Sequence, residues 1–355
     1  MKRKIFCLAV ALCLIFSLLT GFTACTKPSD NSSSSAQGGG SSSASTGDSS
    51  SGGQELPDNT AASKDHTKIL YYSEGNVAYD DDNDCYEYCF MTPYLAARPT
   101  GGAVLVFPGG AYSNLSNSHR LADGTKTGTD NDGDQKESSS IAKFYNEQGI
   151  SVFIVNYRTK SVEKNISYKQ ILSDATRALK YVSKNADKYY VKKDKIAVQG
   201  YSAGGHLASV LVTKGCFDIA DPTYVKDEID EENAVVSAGV LCYPVITLSE
   251  SYTHKSTAKN FSGGDSAIKT EYSSEKNVTA STAPCFLWCH ENDGTVPSKN
   301  TKAMRDALTA ANVKNETHIF DDNGTTEHGV GIAESFEEAK AWTSLATAFL
   351  KSLGF

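Results

Sequence analysis

The chain has 355 residues, with 34 Lys or Arg against 42 Asp or Glu and a formal charge of −8. That acidic balance removes the electrostatic case for nucleic acid as a partner, but a neutral polysaccharide remains compatible with it. The length allows one substantial folded domain once the N-terminal stretch is set aside.

Lys2, Arg3 and Lys4 precede an apolar run over residues 5–19, interrupted only by Ser17. This is the charged and apolar pattern of an export signal, too short for a comfortable membrane span, and it predicts a signal peptide over 1–24. Thr20-Gly21-Phe22-Thr23-Ala24-Cys25 ends in small residues and a cysteine. It resembles a bacterial lipobox, in which Cys25 becomes the lipidated first residue; Phe22 departs from the Leu usual there. Ordinary cleavage with free secretion is the competing reading. Residues 29–53 are nearly all Ser, Gly, Ala and Asn, which predicts a flexible tether. The expected organisation is therefore a signal over 1–24, an anchor cysteine and linker over 25–67, and a folded domain over 68–355. Without Lys2, Arg3 and Lys4, 31 basic residues face 42 acidic ones, a charge of −11.

Of nine cysteines, Cys7, Cys13 and Cys25 fall in this leader. Export permits disulfides among Cys85, Cys89, Cys216, Cys242, Cys285 and Cys289, and their pairing stays open. Cys242 and Cys285 sit in apolar runs, where cysteine serves as a small buried hydrophobe. The x3 spacings of Cys85/Cys89 and Cys285/Cys289 do not match a zinc knuckle. No metal or cofactor is expected, and the oligomeric state stays open.

Strands are predicted at 68–72 and 85–91, joined by an acidic turn at 80–84 without recognisable calcium spacing. Ala103-Val104-Leu105-Val106-Phe107 is a continuous apolar run of the kind that forms a central parallel strand. Residues 122–137 read as an inserted acidic surface loop whose aspartates fail the EF-hand register. A helix over 141–148 closed by Gly149, a buried strand over 152–155 and a helix over about 168–186 follow. Next come a strand over 195–199, a helix from Gly205, and a strand over 235–242. Residues 244–282 are too long for a simple connection and are expected to cover the site. A strand over 284–289, a helix over 301–311, a strand over 316–320 and a closing helix over 334–350 complete the chain. This alternation predicts a doubly wound, mostly parallel sheet, with the site at the carboxyl ends of the strands.

Between a strand and a helix lies Gly200-Tyr201-Ser202-Ala203-Gly204, the G-x-S-x-G pattern of a nucleophile elbow. A serine hydroxyl needs a histidine base and a carboxylate to orient it, in the order Ser, acid, His on this scaffold. Asp293 follows the strand over 284–289, with Glu291 in reserve; Ser298 is the better cap for the next helix. His328 follows the last strand on a glycine-flanked loop, whereas His290 ends a strand and reads as structural. Ala203 and the loop Pro108-Gly109-Gly110 offer backbone amides for an oxyanion, from Ala203 and from Gly109 or Gly110.

These segments, the Pro108-Gly109-Gly110 loop running on through Ala111-Tyr112, with Asn156-Tyr157-Arg158, Gly205-His206-Leu207-Ala208, Asp293-Gly294-Thr295-Val296-Pro297 and His328-Gly329, resemble the bacterial esterase/lipase-type α/β-hydrolases. The group they are most similar to is the acetyl xylan esterases and xylanase-associated esterases, over about residues 101–355. The resemblance implies an α/β-hydrolase fold and hydrolysis of short acyl esters, acetyl groups on plant polysaccharide among them. The long insertion near 122–137, and Glu291 where glycine often follows the strand-end histidine, depart from the pattern. His206 is expected to satisfy a local hydrogen bond, and Tyr112 and Tyr201 are candidates for the substrate pocket. The alternatives are a peptidase on the same scaffold, or a non-catalytic carbohydrate-binding protein at the cell surface. The only expected membrane contact is through a lipid on Cys25.

Overall fold

Every residue of Ala103–Phe107 is buried, and the alternation of a strand divides the run between two cores. Ala103, Leu105 and Phe107 enter one cluster, while Val104 and Val106 enter the other on the opposite face. A strand covered on both faces needs no polar alternation, which is why it reads as a continuous apolar run. The computed structural model describes residues 56–73, 88–116, 139–162, 164–217 and 224–355, with Glu137 and the backbone of 119–120 and 126–127. The signal at 1–24, Cys25, the linker up to residue 55, Cys85 and the acidic stretches at 80–84 and 130–134 lie outside the described residues.

The sheet comprises β1 (Ile69–Leu70), β2 (Phe90–Tyr94), β3 (Ala103–Phe107), β4 (Ser151–Asn156), β5 (Ile196–Tyr201), β6 (Ala238–Cys242), β7 (Cys285–His290) and β8 (Asn315–Phe320). Their spatial order is β1-β2-β4-β3-β5-β6-β7-β8. β1 and β2 run antiparallel to their neighbours. From β4 onward every pairing is parallel, with Leu105 opposite Phe153 and Phe107 opposite Gly200. The doubly wound, mostly parallel sheet expected from the sequence is therefore present.

The helices are α1 (Ser139–Asn146), α2 (Tyr168–Lys184), α3 (Ala203–Lys214), α4 (Lys255–Ser262), α5 (Ser266–Glu271), α6 (Lys299–Ala310) and α7 (Trp342–Ser352). Ile171, Ala175, Ala178, Leu179 and Val182 of α2 pack on one sheet face with Leu207 and Leu211 of α3 and Met304 and Leu308 of α6. Ile141 and Tyr145 of α1 pack on the other with Trp342, Phe349 and Leu350 of α7.

Several boundaries differ from expectation, each for a physical reason. β2 begins at Phe90 and runs through Pro93. The neighbouring β1 pairs only with Phe90 and Met91, so Pro93 needs no amide toward that side. β6 begins at Ala238 rather than 235, because Val235 is exposed and only the later residues register against β5. The closing helix begins at Trp342, eight residues later than the pattern suggested. Ahead of it, Gly331 and Ala333 have positive φ, and the Asp322 carboxylate accepts the Glu338 and Ala339 N–H groups. Cys216, Cys242, Cys285 and Cys289 are free thiols.

Residues 244–282 do cover the site, but as a packed element. Ala258 and Phe261 of α4 are buried in the core beside Tyr272. Asn300 Oδ1 accepts the Ile246 and Thr247 N–H groups, and Ser209 and Ser274 hydroxyls lie 2.7 Å apart.

Candidate active site

Ser202 is the single residue between β5 and α3, with φ 52° and ψ −115°, a backbone conformation costly for any residue with a Cβ. Three backbone hydrogen bonds hold it. Its N–H donates to Cys242 O at 3.1 Å, and its carbonyl accepts from His206 N at 3.1 Å and Val245 N at 3.0 Å. The flanking glycines are sterically required. A Cβ on Gly200 would lie 2.0 Å from Gly204 O, and one on Gly204 would lie 2.1 Å from Phe107 O. The elbow is therefore pressed directly against the end of β3, which carries the Pro108-Gly109-Gly110 loop.

His328 Nε2 lies 2.8 Å from Ser202 Oγ, and His328 Nδ1 lies 2.6 Å from Asp293 Oδ2. The other carboxylate oxygen of Asp293 accepts the Thr295 and Val296 N–H groups, both at 2.8 Å. One oxygen is thus fixed by the loop after β7, and the other is left for the imidazole. The structure brings Ser202, Asp293 and His328 together in the predicted order. Glu291, the reserve acid, is exposed and pairs with Lys302 at 2.7 Å, away from the imidazole. Ser298 precedes α6 without a side-chain capping bond. His290 is buried under the histidine loop, with Nε2 3.1 Å from Asp322 Oδ2 and Nδ1 3.3 Å from Glu327 O, the carbonyl just before His328.

The three expected amides separate. Gly109 N–H donates to Glu137 Oε2 at 2.9 Å and is engaged inside the protein. The N–H groups of Gly110 and Ala203 have no hydrogen-bond partner among the described residues. Ala203 opens α3, where the uncapped amides and the helix dipole favour negative charge.

Tyr112 and Tyr201, expected at the substrate pocket, are fully buried and do not line it. Tyr201 lies in the core, where its hydroxyl accepts from Gln199 Nε2 at 2.7 Å. Tyr112 lies 2.8 Å from His206 Nδ1, and His206 Nε2 lies 2.8 Å from Tyr272 O. Burial pushes the His206 imidazole down to about 4, so the ring is neutral near pH 7. A carbonyl only accepts, so Nε2 carries the proton, and Nδ1 accepts from the Tyr112 hydroxyl. His206 therefore ties the Gly110 loop to the covering element, a long-range role in place of the local one expected.

A cavity of about 590 Å³ opens over Ser202. Its lining includes Ser113, Asn114, His254, Ser256, Lys259 and Asn260. Among the described residues the lining side chains carry hydroxyl, amide, imidazole, carboxylate and ammonium groups, and no aromatic ring other than histidine. His254 Nδ1 lies 2.8 Å from Thr257 Oγ1. Burial, and then the neighbouring His328, hold the His254 imidazole below its ordinary value. Asn260 Nδ2 donates to Ala111 O at 2.9 Å, joining α4 to the Gly110 loop. Sequence reasoning missed Glu137 and Asn260. They belong to no motif, and only their hydrogen bonds across the fold mark them.

Comparison with known proteins places this geometry in a family. The BD-FAE family model matches residues 124–308, just over half of the chain. An endo-1,4-β-xylanase B of Butyrivibrio fibrisolvens is 33% identical over 184 residues, 50% of this chain and 27% of that protein. An acetylxylan esterase of Xylanibacter ruminicola is 26% identical over 251 residues, 70% of this chain and 45% of that protein. The chain thus spans less than half the length of these curated relatives. The crystal structure of an acetyl ester-xyloside bifunctional hydrolase from Caldicellulosiruptor lactoaceticus superposes with a TM-score of 0.67 at 30% identity, covering 82% of this chain and 97% of that one. With a matching family model, the strand order of its sheet and a Ser–His–Asp arrangement at the strand ends, the chain belongs to the BD-FAE family, on an α/β-hydrolase fold similar to that of acetyl xylan esterases.

Proposed function

We propose that the protein is a serine esterase that removes short acyl groups, acetyl foremost, from xylan-type saccharides. The observation that carries this reading is the hydrogen-bonded series Ser202–His328–Asp293 at the floor of a cavity lined by hydroxyl and amide side chains. His328 Nε2 takes the Ser202 proton as Oγ attacks the ester carbonyl, and Asp293 holds Nδ1–H and stabilises the imidazolium. The Gly110 and Ala203 amides receive the charge that develops on the carbonyl oxygen. His328 then returns the proton to the departing sugar hydroxyl, leaving an acyl group on Ser202. Water, activated by the same imidazole, releases the acid. The hydroxyl and amide lining of the cavity suits a saccharide alcohol. The acetylxylan esterase and the acetyl ester-xyloside hydrolase among its relatives support the substrate class.

The test is acetate release from acetylated xylan, pectin, chitin oligomers and simple esters. Xylan-type substrates should be turned over fastest, and Ser202→Ala should lose at least about 10³-fold in kcat. Persistent turnover in that variant would sink the assignment. We further propose export and anchoring through a lipid on Cys25, which fits an insoluble substrate reached on a tether. Palmitate incorporation in cells, lost in Cys25→Ser, is the expected result; a freely secreted wild-type chain would refute it.

A further inference from the structure

Glu137 is buried, lines the cavity over Ser202, and stands outside every motif that marks the site. Its Oε2 accepts the Gly109 N–H at 2.9 Å and the Ser116 hydroxyl. Its Oε1 accepts the Tyr243 hydroxyl at 2.8 Å, and the same phenol oxygen accepts the Gly331 N–H at 2.9 Å. Burial and the Glu137 charge push the Tyr243 phenol well above its ordinary value, so Tyr243 is the donor in that contact. The Tyr243 ring packs edge-on against the His328 ring, with centroids 5.0 Å apart. The contact with the elbow is equally close. A Cβ on Gly109 would lie 3.0 Å from Glu137 Oε2 and 3.2 Å from Ser202 Cβ.

One carboxylate therefore holds both ends of the loop that carries Gly110, at Gly109 and Ser116. It also holds the tyrosine that packs on the base, and through Gly331 the loop on which that base sits. We infer that Glu137 is a positioning residue for ester cleavage, aligning the Gly110 amide with Ser202 on one side and His328 on the other. The inference rests on Ser202 being the attacking group. Its chemistry is specific. Both oxygens accept, so an amide at this position presents an N–H₂ either to the Gly109 N–H, which loses its acceptor, or to Tyr243, whose hydroxyl must then turn and leave its own proton without the carboxylate. A loop displaced by ~1 Å is enough for a loss of about 100-fold in the chemical step, with little effect on ground-state binding.

The test compares wild type, Glu137→Gln and Tyr243→Phe by three measurements: the rate of fluorophosphonate labelling at Ser202, kcat and KM per labelled site on p-nitrophenyl acetate, and Tm. Glu137→Gln, nearly isosteric, should lower the labelling rate and per-site kcat by about 10- to 100-fold, with KM within roughly threefold. Tyr243→Phe keeps the Gly109 clasp and should lose less, about threefold to tenfold in kcat. Per-site kcat and labelling within twofold of wild type in Glu137→Gln would overturn the inference. A lowered Tm or labelled fraction, with normal activity per labelled site, would overturn it equally, since that pattern marks a purely structural contact. The labelling rate is read independently of ester turnover. Failure of the esterase reading would appear as a wild-type chain that labels without releasing acid, and failure of the Glu137 inference as equal labelling rates.

Discussion

Replacing Gly204 with alanine probes the contact on which the site geometry depends. The new Cβ would lie 2.1 Å from Phe107 O, 2.5 Å from Pro108 O and 2.7 Å from Phe107 C. Those atoms belong to the end of β3 and the first residue of the Gly110 loop, so the strain falls on backbone rather than on a flexible side chain. Real Cβ contacts essentially never fall below 3.0 Å, so the elbow and the loop must separate by about 1 Å. Overpacking of this kind costs roughly 1–3 kcal/mol, which for a domain of this size lowers Tm by several degrees. The larger effect should be catalytic. The displaced loop carries Gly110, and a misplacement of ~1 Å costs about 100-fold in rate. The assay is kcat and KM on p-nitrophenyl acetate, normalised to sites titrated with fluorophosphonate, beside a calorimetric Tm. A fall in kcat of about 100-fold at nearly constant KM is expected. Wild-type kcat with an unchanged Tm would refute the argument, because the elbow could not then be pressed against β3 as described.

Two further predictions concern stability and pH. Burial holds His206 at about 4 in the folded state, against about 6.5 unfolded, so between these values the unfolded chain binds a proton that the native chain does not. Stability from this residue is full above pH 6.5, falls by about 3 kcal/mol as pH drops to 4, and then levels off. The difference in unfolding free energy between pH 7.5 and 4.5 should shrink in His206→Gln; an unchanged difference would exclude His206 as its source. Glu275 behaves oppositely. Both its oxygens are buried, and burial outweighs the backbone N–H and the Thr247 hydroxyl near it, so its carboxyl is pushed up. The charged form therefore destabilises the fold above that raised value, and the penalty fades as pH falls through it. Glu275→Met should stabilise by on the order of 1 kcal/mol at pH 7.5 and by less at pH 4.5, and a lower Tm at pH 7.5 would show that the contacts of the carboxylate outweigh its burial.

The fold and the Ser202–His328–Asp293 series were legible for different reasons. The central strands were readable because they are covered on both faces, so Ala103–Phe107 and Cys285–His290 are unbroken or nearly unbroken apolar runs. Ser202, Asp293 and His328 were readable because each follows a strand on a short loop, in an order the chemistry requires. Elements near the sheet edge read less well. β2 passes through Pro93, and α7 starts late because Asp322, sixteen residues before Glu338, supplies a capping carboxylate that no local pattern reveals.

What the sequence determined by itself is the set of groups whose position follows from local geometry: the strained Ser202 flanked by Gly200 and Gly204, Asp293 and His328 after strand ends, and the alternation that builds the sheet. What only the tertiary structure decided is which polar groups are already in use. Gly109 and Gly110 are neighbours of identical type, yet the Glu137 carboxylate engages the first and leaves the second free. Tyr112 and Tyr201 look like pocket residues beside their motifs, yet both are packed inside, one bonded to His206 and the other to Gln199. A backbone amide or a phenol finds its partner across the fold, at sequence separations such as the 28 residues between Gly109 and Glu137. Spacing along the chain carries no record of such a pairing, because the partners meet only when the sheet and its covering element have closed around them.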